Sequence, residues 1–163
     1  MIPQATPPSG PPPAPRKPHR IAVFADTHDA YPQRLPGLLA EADELWHLGD
    51  VCAPDVLAAF AALGRPLFVV KGNNDAHLAW PLTLRLERAS RVFHLEHIAP
   101  RRASAGAEFV LCGHTHVPED VTDPGGVRWL NPGCISYPRG QGCSFGWLTI
   151  AATGEVDWRI VAL

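Results

Sequence analysis

Two histidines one residue apart, His114 and His116 in Gly113-His114-Thr115-His116, follow the apolar run Phe109-Val110-Leu111-Cys112. A short apolar run that breaks at glycine reads as a buried strand ending in a tight turn. Imidazole is the commonest side-chain metal ligand, and two on one turn ask for partners. Such a pair alone is weak grounds for chemistry, because histidines are common on surfaces and in cores. What matters is what else the chain delivers to the same place.

Partners recur upstream, each where an apolar run gives out. Ile21 to Ala25 runs into Asp26-Thr27-His28-Asp29, and Glu44 to Leu48 into Gly49-Asp50-Val51-Cys52. Pro66 to Val70 runs into Lys71-Gly72-Asn73-Asn74-Asp75, and Arg91 to Leu95 into Glu96-His97. Ligands of α/β sheets sit beyond the carboxyl ends of the strands, so these turns converge on one edge. The donors collected there are Asp26, His28, Asp50, Asn73, His97, His114 and His116. Oxygen and nitrogen donors without thiolate suit manganese, iron, zinc, cobalt or nickel better than calcium or magnesium alone. Seven donors are too many for one ion and fit two that share a carboxylate. Two ions about 3.5 Å apart deprotonate a shared water, orient a phosphate and stabilise the attacking and leaving oxygens. Only an anion can bridge such a pair, which selects Asp50.

The elements that must position these groups follow from apolar patterning. The first strand, Arg20 to Ala25, is apolar on both faces and therefore central and parallel. Helical spacing covers Leu35 to Ala42, with Pro36 tolerable in a first turn, and Asp55 to Leu63, ended by Gly64. The second half is strand-rich: Thr83 to Leu86, Arg91 to Leu95, Phe109 to Cys112 and Val127 to Leu130. Ser144 to Ile150 and Val156 to Val161 pair as a hairpin. A β-α-β-α-β order followed mostly by strands predicts an α/β fold of two packed sheets, with helices outside the first.

Composition bounds the rest. The 163 residues suffice for one domain, and a net charge of -2 offers no basic field for nucleic acid or a membrane surface. No apolar run approaches the ~20 residues that cross a bilayer. Prolines near the N-terminus argue against a signal peptide. Cys52, Cys112, Cys134 and Cys143 show no CxxC pairing and read as buried free thiols of a reducing cytoplasm, one stray disulfide or metal thiolate being the minor alternative. Residues 1–19 form a proline-rich tail that favours extended polyproline II, and residues 20–163 form the domain. The tail reads as a flexible leader, the alternative being a docking arm for a partner such as another subunit in a homo-oligomer.

Asp26-Thr27-His28, Gly49-Asp50, Gly72-Asn73-Asn74-Asp75, His97 and Gly113-His114-Thr115-His116 occur in the order seen in calcineurin-like metallophosphoesterases. Asn131-Pro132-Gly133-Cys134 with Pro138-Arg139-Gly140 resembles the small prokaryotic phosphodiesterase branch, which usually has Ser at position 134. The resemblance covers residues 20 to 163 and implies a four-layer α/β/β/α sandwich of two mixed sheets flanked by helices. It assigns one divalent ion to Asp26, His28, Asp50 and His116, and a second to Asp50, Asn73, His97 and His114. Manganese is the first choice, with iron, zinc, nickel or cobalt as alternatives. A metal-bridging hydroxide would attack the phosphorus of a small phosphate diester.

Three departures bear on this reading. Asn74 stands where phosphatase relatives carry a proton-donating histidine, and a neutral carboxamide cannot supply a proton. The candidate catalytic residues are therefore Asp50, Asn74 and His77, with Asp29 a further source of the acid. Good leaving groups are then favoured over alkyl monoesters. The stretch from His97 to Gly113 leaves room for barely a turn of helix at Arg101 to Ala105, so one flanking helix is expected to be missing. Ile98 replaces the glycine that usually follows the strand-end histidine, which leaves His94 as a rival to His97.

The remaining residues have plainer readings: His47 as a packed histidine, His19 as part of the tail, Asp75 as a loop brace. Arg139 offers a phosphate its planar fork, a structural pairing being equally good. Two functions compete with a cytoplasmic phosphodiesterase. One is a non-catalytic scaffold resembling the retromer subunit built on this fold, which predicts degraded metal ligands. The other is a phosphomonoesterase, which Asn74 disfavours.

Overall fold

In the computed structural model, which describes residues 17–76 and 79–163, alternate residues of the first strand, β1 (His19–Phe24), bury against different layers. Ile21 and Val23 join a core between two sheets, whereas Ala22 and Phe24 join a second core under the helices. A strand buried on both faces needs parallel neighbours and a covering layer, which the next elements supply. They are α1 (Leu35–Leu39), β2 (Glu44–His47), a 3₁₀ turn (Pro54–Leu57) continuing into α2 (Ala58–Ala61), and β3 (Leu67–Val69). The chain then forms β4 (Thr83–Arg88), β5 (Arg91–Glu96), β6 (Phe109–Leu111), β7 (Pro118–Thr122), β8 (Arg128–Pro132), β9 (Ser144–Ile150) and β10 (Val156–Ala162).

Two five-stranded mixed sheets result, ordered β10-β9-β1-β2-β3 and β4-β5-β6-β8-β7. Each has three parallel strands: β1, β2 and β3 in the first, β5, β6 and β8 in the second. Each is completed by antiparallel strands, including the expected β9–β10 hairpin. Trp46, Leu48, Phe93, Leu95, Leu111, Leu130 and Leu148 pack between the sheets. Leu35, Leu39, Leu57 and Phe60 cover the outer face of the first sheet.

The two-sheet sandwich expected from the sequence is present, with local differences. Both helices are shorter than their apolar spacing suggested; Pro36 and Gly37 limit α1, and the second begins as a 3₁₀ turn. Strand β7 was not expected: its residues Pro118-Glu119-Asp120-Val121-Thr122 are largely exposed and carry no apolar alternation. No helix forms over Arg101 to Ala105. Instead, residues 98–107 fold back over the second sheet, where Ser104 meets His94 Nδ1 at 3.0 Å and Arg85 donates to the Ala105 carbonyl. Among the described residues the fourth layer is thus a loop.

His19 is not a tail residue. It pairs with Ile150 in β1, and its Nε2 lies 2.8 Å from Glu44 Oε1. Glu44 also accepts two bonds from the Arg88 guanidinium, which joins the first sheet to β4 of the second. Residues 1–16 of the proline-rich tail lie outside the described residues. Among the described residues, no helix is long and apolar enough to cross a membrane.

Candidate metal centre

The carboxyl ends of the parallel strands of both sheets open on one edge, and the turns beyond them carry the predicted donors. Beyond β1 come Asp26 and His28, beyond β2 Asp50, beyond β3 Asn73, beyond β5 His97, and beyond β6 His114 and His116. Asp26, His28, Asp50, His114 and His116 all have φ between 42° and 65°. This left-handed region is uncommon for residues with a Cβ and costs on the order of 1–3 kcal/mol each, so such strain tends to collect at functional sites. Two close backbone approaches and one side-chain bond hold the turns together. A Cβ on Gly72 would run into the Asp50 backbone and carboxylate, and one on Gly113 would lie 2.9 Å from both Ala25 Cβ and Asp26 Oδ2. Buried Asn131 ties down the histidine turn by donating to the Gly113 carbonyl at 2.9 Å.

Two groups of donors emerge. In the first, Asp26 Oδ1 lies 3.2 Å from His116 Nε2 and 3.7 Å from His28 Nε2, and the two imidazole nitrogens are 3.4 Å apart. In the second, His97 Nε2 lies 3.4 Å from Asp50 Oδ2 and 3.1 Å from Asn73 Oδ1. The His114 ring stands edge-on to His97, its centroid 5.3 Å away. Asp50 Oδ2 reaches both groups, being 3.7 Å from His28 Nε2. Alternate imidazoles of Gly113-His114-Thr115-His116 therefore face different groups. His94 is excluded from both: it alternates with the inward Phe93 and Leu95, points to the outer face, and bonds Glu96 and Ser104.

The donor set fits cations on grounds internal to the structure. His97 Nδ1 donates to the Leu48 carbonyl at 2.7 Å, and His116 Nδ1 to the Tyr137 carbonyl at 2.8 Å. Each ring then presents Nε2, the nitrogen that this bond leaves free, to a carboxylate oxygen, a placement that suits a cation held between the two. Asp26 Oδ1 is fully buried and has no hydrogen-bond partner among the described residues. Asp26, His28 and His116 form one cluster of suitably close ligand atoms, and Asp26, Asp50 and His97 another.

Electrostatics separate the two carboxylates. Burial pushes Asp26 up to about 6, although His97 and His116 pull the other way. Burial also acts to raise Asp50, but hydrogen bonds from His97 and Asn74 hold it well below the usual carboxylate range. Burial lowers His28 and His114, whereas Asp50 and Asp26 outweigh burial at His97 and raise it.

Asn74 acts on Asp50: its backbone N–H donates to Oδ1 at 2.9 Å and its Nδ2 to Oδ2 at 2.7 Å. Asp29 accepts the Ala53 N–H and braces that loop. His77 lies outside the described residues. His47 is packed as expected, its Nδ1 accepting from Gly49 N–H at 3.1 Å and its Nε2 lying 3.2 Å from Thr27 Oγ1. Asp75 braces the turns, accepting the N–H groups of Asp50, Val51, Cys52 and Gly72.

A cavity of about 270 Å³ opens over the two groups and is also lined by Tyr137 and Arg139. Sequence reasoning missed Tyr137, whose carbonyl orients His116 and whose ring stands 5.8 Å from that of His28. Nothing in its local pattern marks it, since it sits in an irregular loop at φ 54°.

Comparison with solved structures returns the same architecture. Vacuolar protein sorting 29 from Cryptosporidium parvum superposes with a TM-score of 0.70 at 15% identity, covering 88% of this chain and 97% of that one. Yfce, a phosphoesterase from E. coli, gives 0.69 at 23% identity, covering 88% and 99%. A novel archaeal phosphodiesterase gives 0.68 at 19% identity, covering 87% and 99%. A search of curated proteins gives no match. The family model of the calcineurin-like phosphoesterase superfamily domain matches residues 20–153, a span that holds every donor of the two groups. The chain therefore belongs to the calcineurin-like phosphoesterase superfamily.

Proposed function

We propose that the chain is a dinuclear metal-dependent phosphodiesterase that hydrolyses a small phosphate diester with a good leaving group. The observation that carries this reading is the pair of imidazoles, His97 and His116, fixed through Nδ1 so that each Nε2 faces a buried carboxylate. Asp26, His28, Asp50 and His116 would hold one divalent ion, and Asp50, Asn73, His97 and His114 the other, with Asp50 shared. When bound, such ions supply positive charge that polarises the phosphoryl oxygens and makes hydroxide available at neutral pH. Manganese is our first choice of metal.

The chain's own groups do the rest. Asn74 fixes both Asp50 oxygens, so its carboxamide is committed to positioning and donates no proton. With Asn74 supplying no proton, and His77 and Asp29 the remaining candidates for the acid, aryl or nucleotide-like diesters are favoured over alkyl monoesters. Arg139 at the cavity rim offers its guanidinium fork to a non-bridging phosphate oxygen. The intact set of seven donors argues against the scaffold reading, which needs no such set.

The test uses the purified chain and a bis-aryl phosphate. Hydrolysis is expected to vanish on chelation, to return with added manganese, and to exceed monoester hydrolysis. Asp50→Asn should lower kcat/KM by more than about tenfold. A smaller loss, or full activity in chelator, would overturn the assignment.

A further inference from the structure

We propose that Cys134 and Cys143 form a reversible disulfide that clamps the base of the loop carrying Tyr137 and Arg139 over the cavity. The two cysteines stand at the ends of that loop. Ser144 N–H donates to the Cys134 carbonyl at 2.9 Å, and Ser144 Oγ to the Pro132 carbonyl at 2.7 Å. These bonds tie the residue after Cys143 to the backbone of Cys134, so the two cysteines stand one residue out of direct pairing on neighbouring segments, and a disulfide requires such neighbouring backbones. The Leu163 N–H holds the Cys143 carbonyl from the other side. Cys134 is fully buried and Cys143 half-buried. Burial and the nearby Cys143 thiol push the Cys134 thiol up to about 12. The other two cysteines are elsewhere: Cys52 Sγ is 3.6 Å from His28 Nδ1, and Cys112 sits at the end of β6 against the Leu130 carbonyl.

The loop has something to gain from a clamp. Its first part is anchored, since Ile135 and Ser136 bond to the Ala25 and Asp26 carbonyls. From Tyr137 to Gly142 it is exposed, with Gly140 and Gly142 at φ 94° and 79°. A bond across its base removes chain freedom from a segment that lines the cavity.

The chemistry requires an oxidant, and a low-molecular-weight disulfide supplies it. The half-buried Cys143 thiolate attacks one sulfur of that disulfide, giving a mixed disulfide and releasing one small thiol, which takes the Cys143 proton. The Cys134 thiolate then attacks Cys143 Sγ, and the second small thiol leaves with the Cys134 proton. Both protein sulfurs are oxidised and the small disulfide is reduced to two thiols.

The test treats the full chain with oxidised glutathione and maps the products by mass spectrometry. The expected result is a loss of two hydrogens, one Cys134–Cys143 linked peptide, and full reversal by dithiothreitol. Tryptic cleavage after Arg139 should slow by about fivefold or more in the oxidised chain. Both effects should be absent in Cys143→Ser, and the unsubstituted chain carries the main readout should that variant fold poorly. A persistent glutathione adduct on Cys143 without closure, a link through Cys52 or Cys112, or unchanged cleavage would each overturn the proposal. The consequence for catalysis rests on the phosphodiesterase reading, but neither mass nor proteolysis needs turnover, so the two can fail separately.

Discussion

Asp75 is not among the seven donors, yet four backbone N–H groups from two different turns converge on its carboxylate at 2.8 to 3.3 Å. Fully buried and saturated with donors, it sets the distance between the Asp50 turn and the Gly72 turn. Asp75→Ala should cost about 3–5 kcal/mol, because it orphans buried donors as well as deleting an acceptor. Urea unfolding of the metal-free chain measures this, and a cost below about 1 kcal/mol would show that the turns hold without it. At this scale much was legible. That these seven residues gather on one edge was legible because each follows an apolar run, whereas His94 stayed a rival to His97 until the structure turned it toward Glu96 and Ser104. The partners of Asn74 and Tyr137 could not be read, since they depend on which loops meet across the two sheets.

The elements show where sequence pattern stops being informative. Strands β1, β2 and β6 were visible as apolar runs because they are buried on both faces or nearly so. Strand β7 was not, because an exposed edge strand needs no apolar side and its Glu119 and Asp120 protect it from pairing with other chains. The short stretch from His97 to Gly113 foretold the missing helix of the fourth layer, but not the course of the loop that replaces it, since a loop held by Ser104 and Ala105 carries no periodicity. One element carries a correctable strain. The β4–β5 hairpin turns through Ala89 and Ser90, at φ 48° and 61°, where Asn-Gly is the preferred pair for two residues of positive φ. Replacing Ala89-Ser90 by Asn-Gly should stabilise the fold by about 0.5–1 kcal/mol without altering hydrolysis. Thermal unfolding tests this; an unchanged or lowered Tm would mean that the native turn is not strained.

Across the whole molecule, two sheets aim three parallel strands each at one edge, and the layer beneath the helices must stay dry for that edge to hold its shape. His47 is a fully buried polar group in that layer, edge-on to Phe24 with ring centroids 4.9 Å apart. Burial pushes its pKa down to about 3, and the Gly49 N–H occupies the nitrogen that a proton would need. The unfolded chain protonates this imidazole near its ordinary value of 6.5, so below that pH it binds a proton that the folded chain refuses. The contribution is therefore complete above pH 6.5 and is lost as the pH falls toward 3, at up to about 1.4 kcal/mol per pH unit. In chelator, the stability of the natural chain relative to His47→Gln should fall by about 2 kcal/mol between pH 7 and pH 5. Taking the difference between the two chains removes the titration of Asp26 and the other imidazoles, which both share. Parallel stability curves would mean that His47 accepts its proton in place, with the Gly49 turn loosened to admit it. Because Gly49 leads directly into Asp50, that outcome would also predict distortion of the shared carboxylate in acid.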